Sequence, residues 1–385
     1  MAGEHDGAAH DAQSHALEYV FDILFVFTIT QLAKSLADAP SWAGFGRTVL
    51  LVVLLWWTFG SYASLSRAAA SGRGRAVLAV AILANFVVAL SIPAATGDSR
   101  LVFALAFTLL VGSHVALYVF ELDRATRSEV ARVVGLRCVS PALVLAGAVV
   151  GGSGLVVLWV GAVLAELVRA WLAEHPWVAT TATPSGPPDR FVQRHGVLLI
   201  LVIGEAVLTI GIGLGVVLRD LDAEQVVVLL TALALAATLY WAYFGEGADD
   251  TAYRRLTAAE PHHRETLSLL AFGYAFALML VGVDVAVAGL HDVLDHPTDP
   301  ASASFGGYLA GGVGAYWIGI GFFRLVFGMP FAALRIVGGV VLAALAFLGE
   351  VSGLVELVGL LAGSVTILLI EEIRIHRARP TPGAT

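Results

Sequence analysis

The sequence is short of most of what soluble enzymes work with. Its 385 residues hold one cysteine, Cys138, and one lysine, Lys34. A disulfide framework, a cysteine-based metal cluster, a lysine Schiff base and a phosphate loop ending in Gly-Lys-Ser/Thr are therefore excluded. No Gly-x-Ser-x-Gly elbow accompanies the serines and histidines, so a hydrolase triad has no anchor. Charged residues make up only 14% of the chain and the formal net charge is −8, which leaves no basic face for a nucleic acid. Catalysis, a cofactor and a resident metal are not expected. The first seventeen residues lack Lys, Arg and an apolar stretch, so they are expected to stay as a His- and acid-rich tail rather than act as a cleaved signal.

What is abundant is apolar surface. Hydrophobic residues form 58% of the chain, too much for a water-soluble globule to bury. A helix needs roughly 20 apolar residues to cross a hydrocarbon core of about 30 Å. By that ruler twelve runs qualify, near 18–37, 44–66, 75–95, 101–121, 133–150, 153–172, 194–217, 223–245, 265–289, 305–325, 331–349 and 351–371. The fifth holds Arg137 and Pro141, so a re-entrant or interfacial helix is the alternative to a full crossing there. The fold class expected is all-α, a polytopic membrane protein of about twelve transmembrane helices.

Positive charge tests that count independently, because short cytoplasmic loops concentrate Lys and Arg. With twelve spans, 18 of the 22 fall on the side of the two termini; the other side has Lys34, Arg47, Arg100 and Arg219. Both termini are therefore expected in the cytoplasm of a bacterial cell, with the chain multi-pass in the cytoplasmic membrane. The sequence also repeats internally. Leu55-Trp56-Trp57-Thr58-Phe59 recurs as Leu239-Tyr240-Trp241-Ala242-Tyr243, Leu136-Arg137-Cys138-Val139 as Leu334-Arg335-Ile336-Val337, and Ser153-Gly154-Leu155-Val156 as Ser352-Gly353-Leu354-Val355. An even number of spans per copy implies a parallel repeat, with any shared pathway between the halves. The organisation expected is a tail over 1–17, a six-helix repeat over 18–172, a cytoplasmic linker over 173–193, a second repeat over 194–372 and a tail over 373–385. Glycine-dense runs such as 211–215 and 311–314 read as close helix packing.

An ionisable side chain at the centre of a bilayer costs roughly 2.5–3.5 kcal/mol on insertion scales, so each one there requires a partner, a cavity or the interface. Glu205, central in the seventh run, is the foremost candidate, with Thr209 one turn on as a hydrogen-bonding partner. Asp22 lies in the corresponding first run and Glu18 one turn before it, with Thr30 further along to one side. Asp22 and Glu205 are repeat-related in helix order, and such acids carry protons or strip water from a cation. His114, Asn85 and Asp284 are secondary pathway candidates; Arg194 and His195 are expected at the cytoplasmic mouth. Glu166 with Arg169, and Glu371 and Glu372 with Arg374, are expected to form local ion pairs or to reach the interface. The His and Asp residues of 291–296 and of the amino-terminal tail have metal-ligand chemistry but read as solvated.

The stretch Leu17-Glu18-Tyr19-Val20-Phe21-Asp22-Ile23-Leu24-Phe25-Val26-Phe27-Thr28-Ile29-Thr30-Gln31-Leu32 resembles the opening span of the bacterial low temperature requirement protein A family. The likeness continues through Trp56-Trp57 and Arg194-His195-Gly196 to Gly204-Glu205-Ala206-Val207 and covers essentially the whole chain. It implies that Glu18, Asp22, Gln31, His195 and Glu205 occupy family-pattern positions. Arg190 and Gln193 stand where the family pattern has His and Glu, and Asp284 lies where it is usually apolar. The family name records a growth phenotype rather than a mechanism. The function expected is a secondary transporter or ion-conducting protein handling a proton or small cation in the lipid bilayer. The alternative is a non-transporting stress or lipid-environment factor, or an intramembrane enzyme.

Overall fold

In lipid every backbone N–H and C=O must be satisfied within the chain, which leaves helices as the natural outcome of long apolar runs. The computed structural model describes residues 2–63, 71–121, 127–173, 188–213, 223–245 and 247–378, with side chains from Tyr19 onward except at several helix ends. Among these there is no strand. The helices are α1 (Ala2–Asp38), α2 (Trp42–Ala63), α3 (Gly72–Ser91), α4 (Arg100–Glu121), α5 (Arg127–Val150), α6 (Gly152–Ala173) and α7 (Pro188–Gly213). They continue as α8 (Ala223–Phe244), α9 (Ala248–Ala258), α10 (Pro261–Ser268), α11 (Phe276–Asp295), α12 (Ala303–Val326), α13 (Ala332–Ala344) and α14 (Gly353–Ala378).

Eleven helical segments among the described residues are long and apolar enough to cross a membrane, and Val134–Val150 of α5 is a shorter apolar helix. The chain is therefore a polytopic, multi-pass membrane protein of about twelve helices. Its outward side chains agree: Leu83, Leu105, Val157, Leu230 and Leu369 are large, apolar and exposed, as lipid-facing positions should be. Three departures from regular helix are invisible in hydropathy. Leu269–Ala275 forms a seven-residue π-helix between α10 and α11. Leu345–Glu350 tightens into a 3-10 turn after α13. The helix α5 runs through Pro141, which has no N–H to give the Arg137 carbonyl one turn earlier.

The chain forms two compact units. The first comprises Met1–Ser35, Gly46–Leu201 and Leu256–Leu269; the second comprises Leu36–Phe45, Val202–Arg255 and Leu270–Thr385. In the first, α3 packs on α4 and α5 on α6, and the Trp159 indole donates to the Val144 carbonyl at 3.0 Å. In the second, α12 lies between α11 and α13. Glycine makes those approaches possible: a Cβ added to Gly282 would stand 2.6 Å from the Tyr316 backbone nitrogen, and one on Gly314 would stand 2.5 Å from the Gly339 carbonyl oxygen.

Candidate functional site

The first compact unit holds a buried charge pair. Asp22 lies on α1, 1% exposed, on the helix face that also buries Phe21, Phe25 and Ile29. Its partner comes from the first turns of α7. Arg194 places Nη2 2.8 Å from Asp22 Oδ1, and its Nε donates to both carboxylate oxygens, at 3.2 and 3.3 Å. Arg194 is only 12% exposed at the side chain. Aromatic rings from α1 and α2 enclose the pair. Phe25 and Phe59 are 4.5 Å apart between centroids, Trp56 and Phe59 5.5 Å, and the Arg194 guanidinium stands 5.6 Å over the Phe59 ring. His195 is buried beside them, its ring 5.7 Å from that of Trp56. Its Nδ1 lies 2.8 Å from the Phe191 carbonyl, an oxygen that can only accept, so Nδ1 carries the proton. The structure thus joins two residues that were expected in different places, Asp22 along the pathway and Arg194 at its mouth, with Arg194 partly buried and His195 buried among rings.

Two charges taken out of water must satisfy one another, since each alone would be costly in this surrounding. The arrangement can change state in one obvious way. A proton taken by Asp22 weakens the Coulombic hold of its carboxylate on the Arg194 guanidinium.

In the second unit Glu205 is half-buried on α7 and accepts a hydrogen bond from Thr209 Oγ1 at 2.6 Å, one turn on. Thr30 is half-buried and spends its hydroxyl on the Val26 carbonyl at 3.1 Å. Asn85 is buried on α3, with Oδ1 3.5 Å from the Thr28 hydroxyl of α1. His114 is buried on α4 and faces Arg137 Nη1 at 3.0 Å. Asp284 is buried on α11 at 1% exposure. The side chain of Glu18 lies outside the described residues, as do those of the amino-terminal tail. No group of three or more His, Cys, Asp or Glu residues is placed to hold a metal ion among the described residues; His291 points Nδ1 at the Val287 carbonyl, 2.9 Å away.

Two further acids matter, one whose partner differs from the sequence expectation and one that the sequence analysis did not single out. Glu371 was expected to pair locally with Arg374 or reach the interface; instead it is fully buried in a two-point ion pair with Arg335 of α13. Nε meets Oε1 at 2.7 Å and Nη2 meets Oε2 at 2.6 Å. Arg335 also donates Nη1 to the Ala242 carbonyl of α8, and its guanidinium lies 5.6 Å over the Trp317 ring. The planar fork of arginine matches a carboxylate, and α13 and α14 carry the two partners on facing sides, so the long-range pair displaces the local one. Glu356, near the start of α14, is fully buried; its Oε1 accepts from the Ala310 N–H at 3.2 Å, and its Oε2 has no hydrogen-bond partner among the described residues. The only signal for it in the sequence is an acid inside the apolar run Leu354-Val355-Glu356-Leu357-Val358. The pair Glu166–Arg169 is local, as its spacing implied, with Arg169 Nη2 2.6 Å from Oε2.

Residues 14–370 match the family described as bacterial low temperature requirement A protein. An uncharacterized protein of Rhizobium meliloti (strain 1021) is 25% identical over 300 residues, covering 75% of this chain and 71% of that protein. No solved structure matches.

Proposed function

The chain belongs to the bacterial low temperature requirement A family, and we propose that it is a transport protein of the cytoplasmic membrane, a secondary transporter or ion-conducting protein handling a proton or small cation. The observation that carries this reading is the Asp22–Arg194 ion pair, which is buried and ties the first membrane helix to the seventh. A structural membrane helix has no need of an internal carboxylate and guanidinium, and the cost of holding them there points to use. Protonation of Asp22 weakens its grip on Arg194, so occupancy of one carboxylate is coupled to the packing of α1 against the start of α7. Two arrangements of one element, biased by a bound proton, are what a coupled transporter requires. Glu205, on α7 in the second compact unit, is a separate carboxylate with its own hydrogen-bonding partner and the second candidate for carrying a proton or cation. Both termini lie in the cytoplasm in this reading, as the 18 to 4 distribution of positive charge indicates.

The test is water access. In a background with the exposed Cys138 replaced by serine, single cysteines placed along α1 from position 22 to 30 and along α7 from 201 to 209 are challenged with hydrophilic thiol reagents from each side. Labelling at alternate faces of both helices, altered by Asp22→Asn, is expected. Positions unreachable from both sides would end the transport reading.

A further inference from the structure

We propose that Glu356, in the second compact unit, is a proton-binding site whose carboxyl takes up and gives back a proton through the acid-lined end of α11 and the turn that follows it. The starting point is a carboxyl without a counter-charge. Glu356 is fully buried in the first turn of α14. It does not cap that helix, because the Ser352 hydroxyl oxygen takes the Val355 N–H. It reaches instead to α12, where the Ala310 N–H donates to Oε1 at 3.2 Å. Among the described residues Oε2 has no hydrogen-bond partner, and no Arg, Lys or His forms an ion pair with the carboxyl.

Two glycines lie against that oxygen. A Cβ added to Gly349 would stand 2.5 Å from Oε2, and one on Gly306 would stand 3.2 Å from it. Their backbone is already engaged: the Gly306 N–H donates to the Ser302 carbonyl at 3.1 Å, and the Gly349 carbonyl accepts from the Ala301 N–H at 2.8 Å. An isolated carboxylate in such a place is far more costly than a neutral carboxyl, so the neutralising particle has to come from solution. A metal cation needs several oxygen ligands, and among the described residues no group of three or more His, Cys, Asp or Glu is placed to hold one. A proton needs no coordination shell. Nor does the fold demand an acid here. Ser153-Gly154-Leu155-Val156 recurs as Ser352-Gly353-Leu354-Val355, so Glu356 corresponds to Val157, which is apolar and 69% exposed.

The way in is short. The segment before α14 is fastened to its start, with the Gly353 N–H on the Asp299 carbonyl at 3.2 Å and the Leu354 N–H on the Pro297 carbonyl at 3.0 Å. Asp292 of α11 is half-buried, and its like charge acts on Glu356. Asp295, His296 and Asp299 beyond it are exposed, as is Glu350 of the 3-10 turn. At this end α12 brings only the Tyr308 phenol, which donates to the Ser41 carbonyl. Asp292 is thus the step between carboxylates in water and the buried one.

Loading of this carboxyl does not depend on transport, and it is tested on the purified full-length protein without any flux measurement. Infrared difference spectra between the native chain and Glu356→Gln are recorded over a pH series, in water and in deuterium oxide. A protonated carboxyl has a carbonyl stretch that an ionised one lacks. Such a band is expected in the native chain, absent from Glu356→Gln, shifted in deuterium oxide and lost reversibly as pH rises. Asp292→Asn should move that loss to lower pH, because a like charge that opposes ionisation is gone. Should Glu356→Gln not yield a monodisperse protein, isotopic labelling of the glutamate carboxyls identifies the band, and the shift caused by Asp292→Asn decides. A carboxyl ionised throughout the series, a band that neither titrates nor exchanges, or a titration that Asp292→Asn leaves in place overturns the proposal.

Discussion

Asp22, Arg194, Arg335 and Glu371 share one physical problem: a charge that has left water must keep its partner. Removing one member strands the other, a loss of about 3–5 kcal/mol for a buried pair, whereas removing both often costs far less. Asp22→Asn and Arg194→Gln are therefore each expected to lower the unfolding temperature of the detergent-solubilised protein markedly, with the double variant less destabilised than the two losses added together. Additive losses in that cycle would show that the 2.8 Å contact contributes nothing. The same logic makes Glu371→Gln destabilising by about 3 kcal/mol or more, read by the same melt, because Arg335 has no exposed surface through which to find water. At this scale the sequence was legible only where partners are neighbours. Glu205 with Thr209 and Glu166 with Arg169 follow from helical spacing. Arg194 lies 172 residues from Asp22 and Glu371 lies 36 from Arg335, and helical periodicity carries no information about which helix will face which.

Helices are the most legible level, because a hydrocarbon solvent leaves an apolar run almost no other structure. Hydropathy located the spans; it was blind to the π-helix at Leu269–Ala275 and the 3-10 turn at Leu345–Glu350, which depend on packing rather than composition. Glycine density announced close packing, but not which glycines make the contacts. In α12 the distinction is sharp: a Cβ on Gly312 would collide with the Ala286 backbone of α11, while one on Gly311 meets nothing within 4 Å. Gly312→Val is expected to cost about 1–3 kcal/mol or more by overpacking. Gly311→Ala should be neutral or slightly stabilising, through better helix propensity. A melt in which both variants behave alike would mean that α11 and α12 do not approach through Gly312.

For the whole molecule, a polytopic all-helical chain of the low temperature requirement A family follows from apolar length and from the family match. Orientation rests on charge alone and has its own check: reporter domains fused to either end should be active only as cytoplasmic reporters, and activity of either as an exported one would reverse the topology. What composition could not convey is that charge inside this protein is organised. The first compact unit has Asp22 gripped by Arg194; the second has a closed Arg335–Glu371 pair. Whether Asp22 works as a proton or cation relay, as proposed, or as a fixed strut is decided by flux. Protein reconstituted in liposomes is given proton, sodium or potassium gradients, and their decay is compared for the native chain, Asp22→Asn and Glu205→Gln. The native protein is expected to dissipate at least one gradient, and folded Asp22→Asn to fall to the protein-free background. Equal flux in the native and Asp22→Asn proteins, or none in either, would contradict the relay proposal.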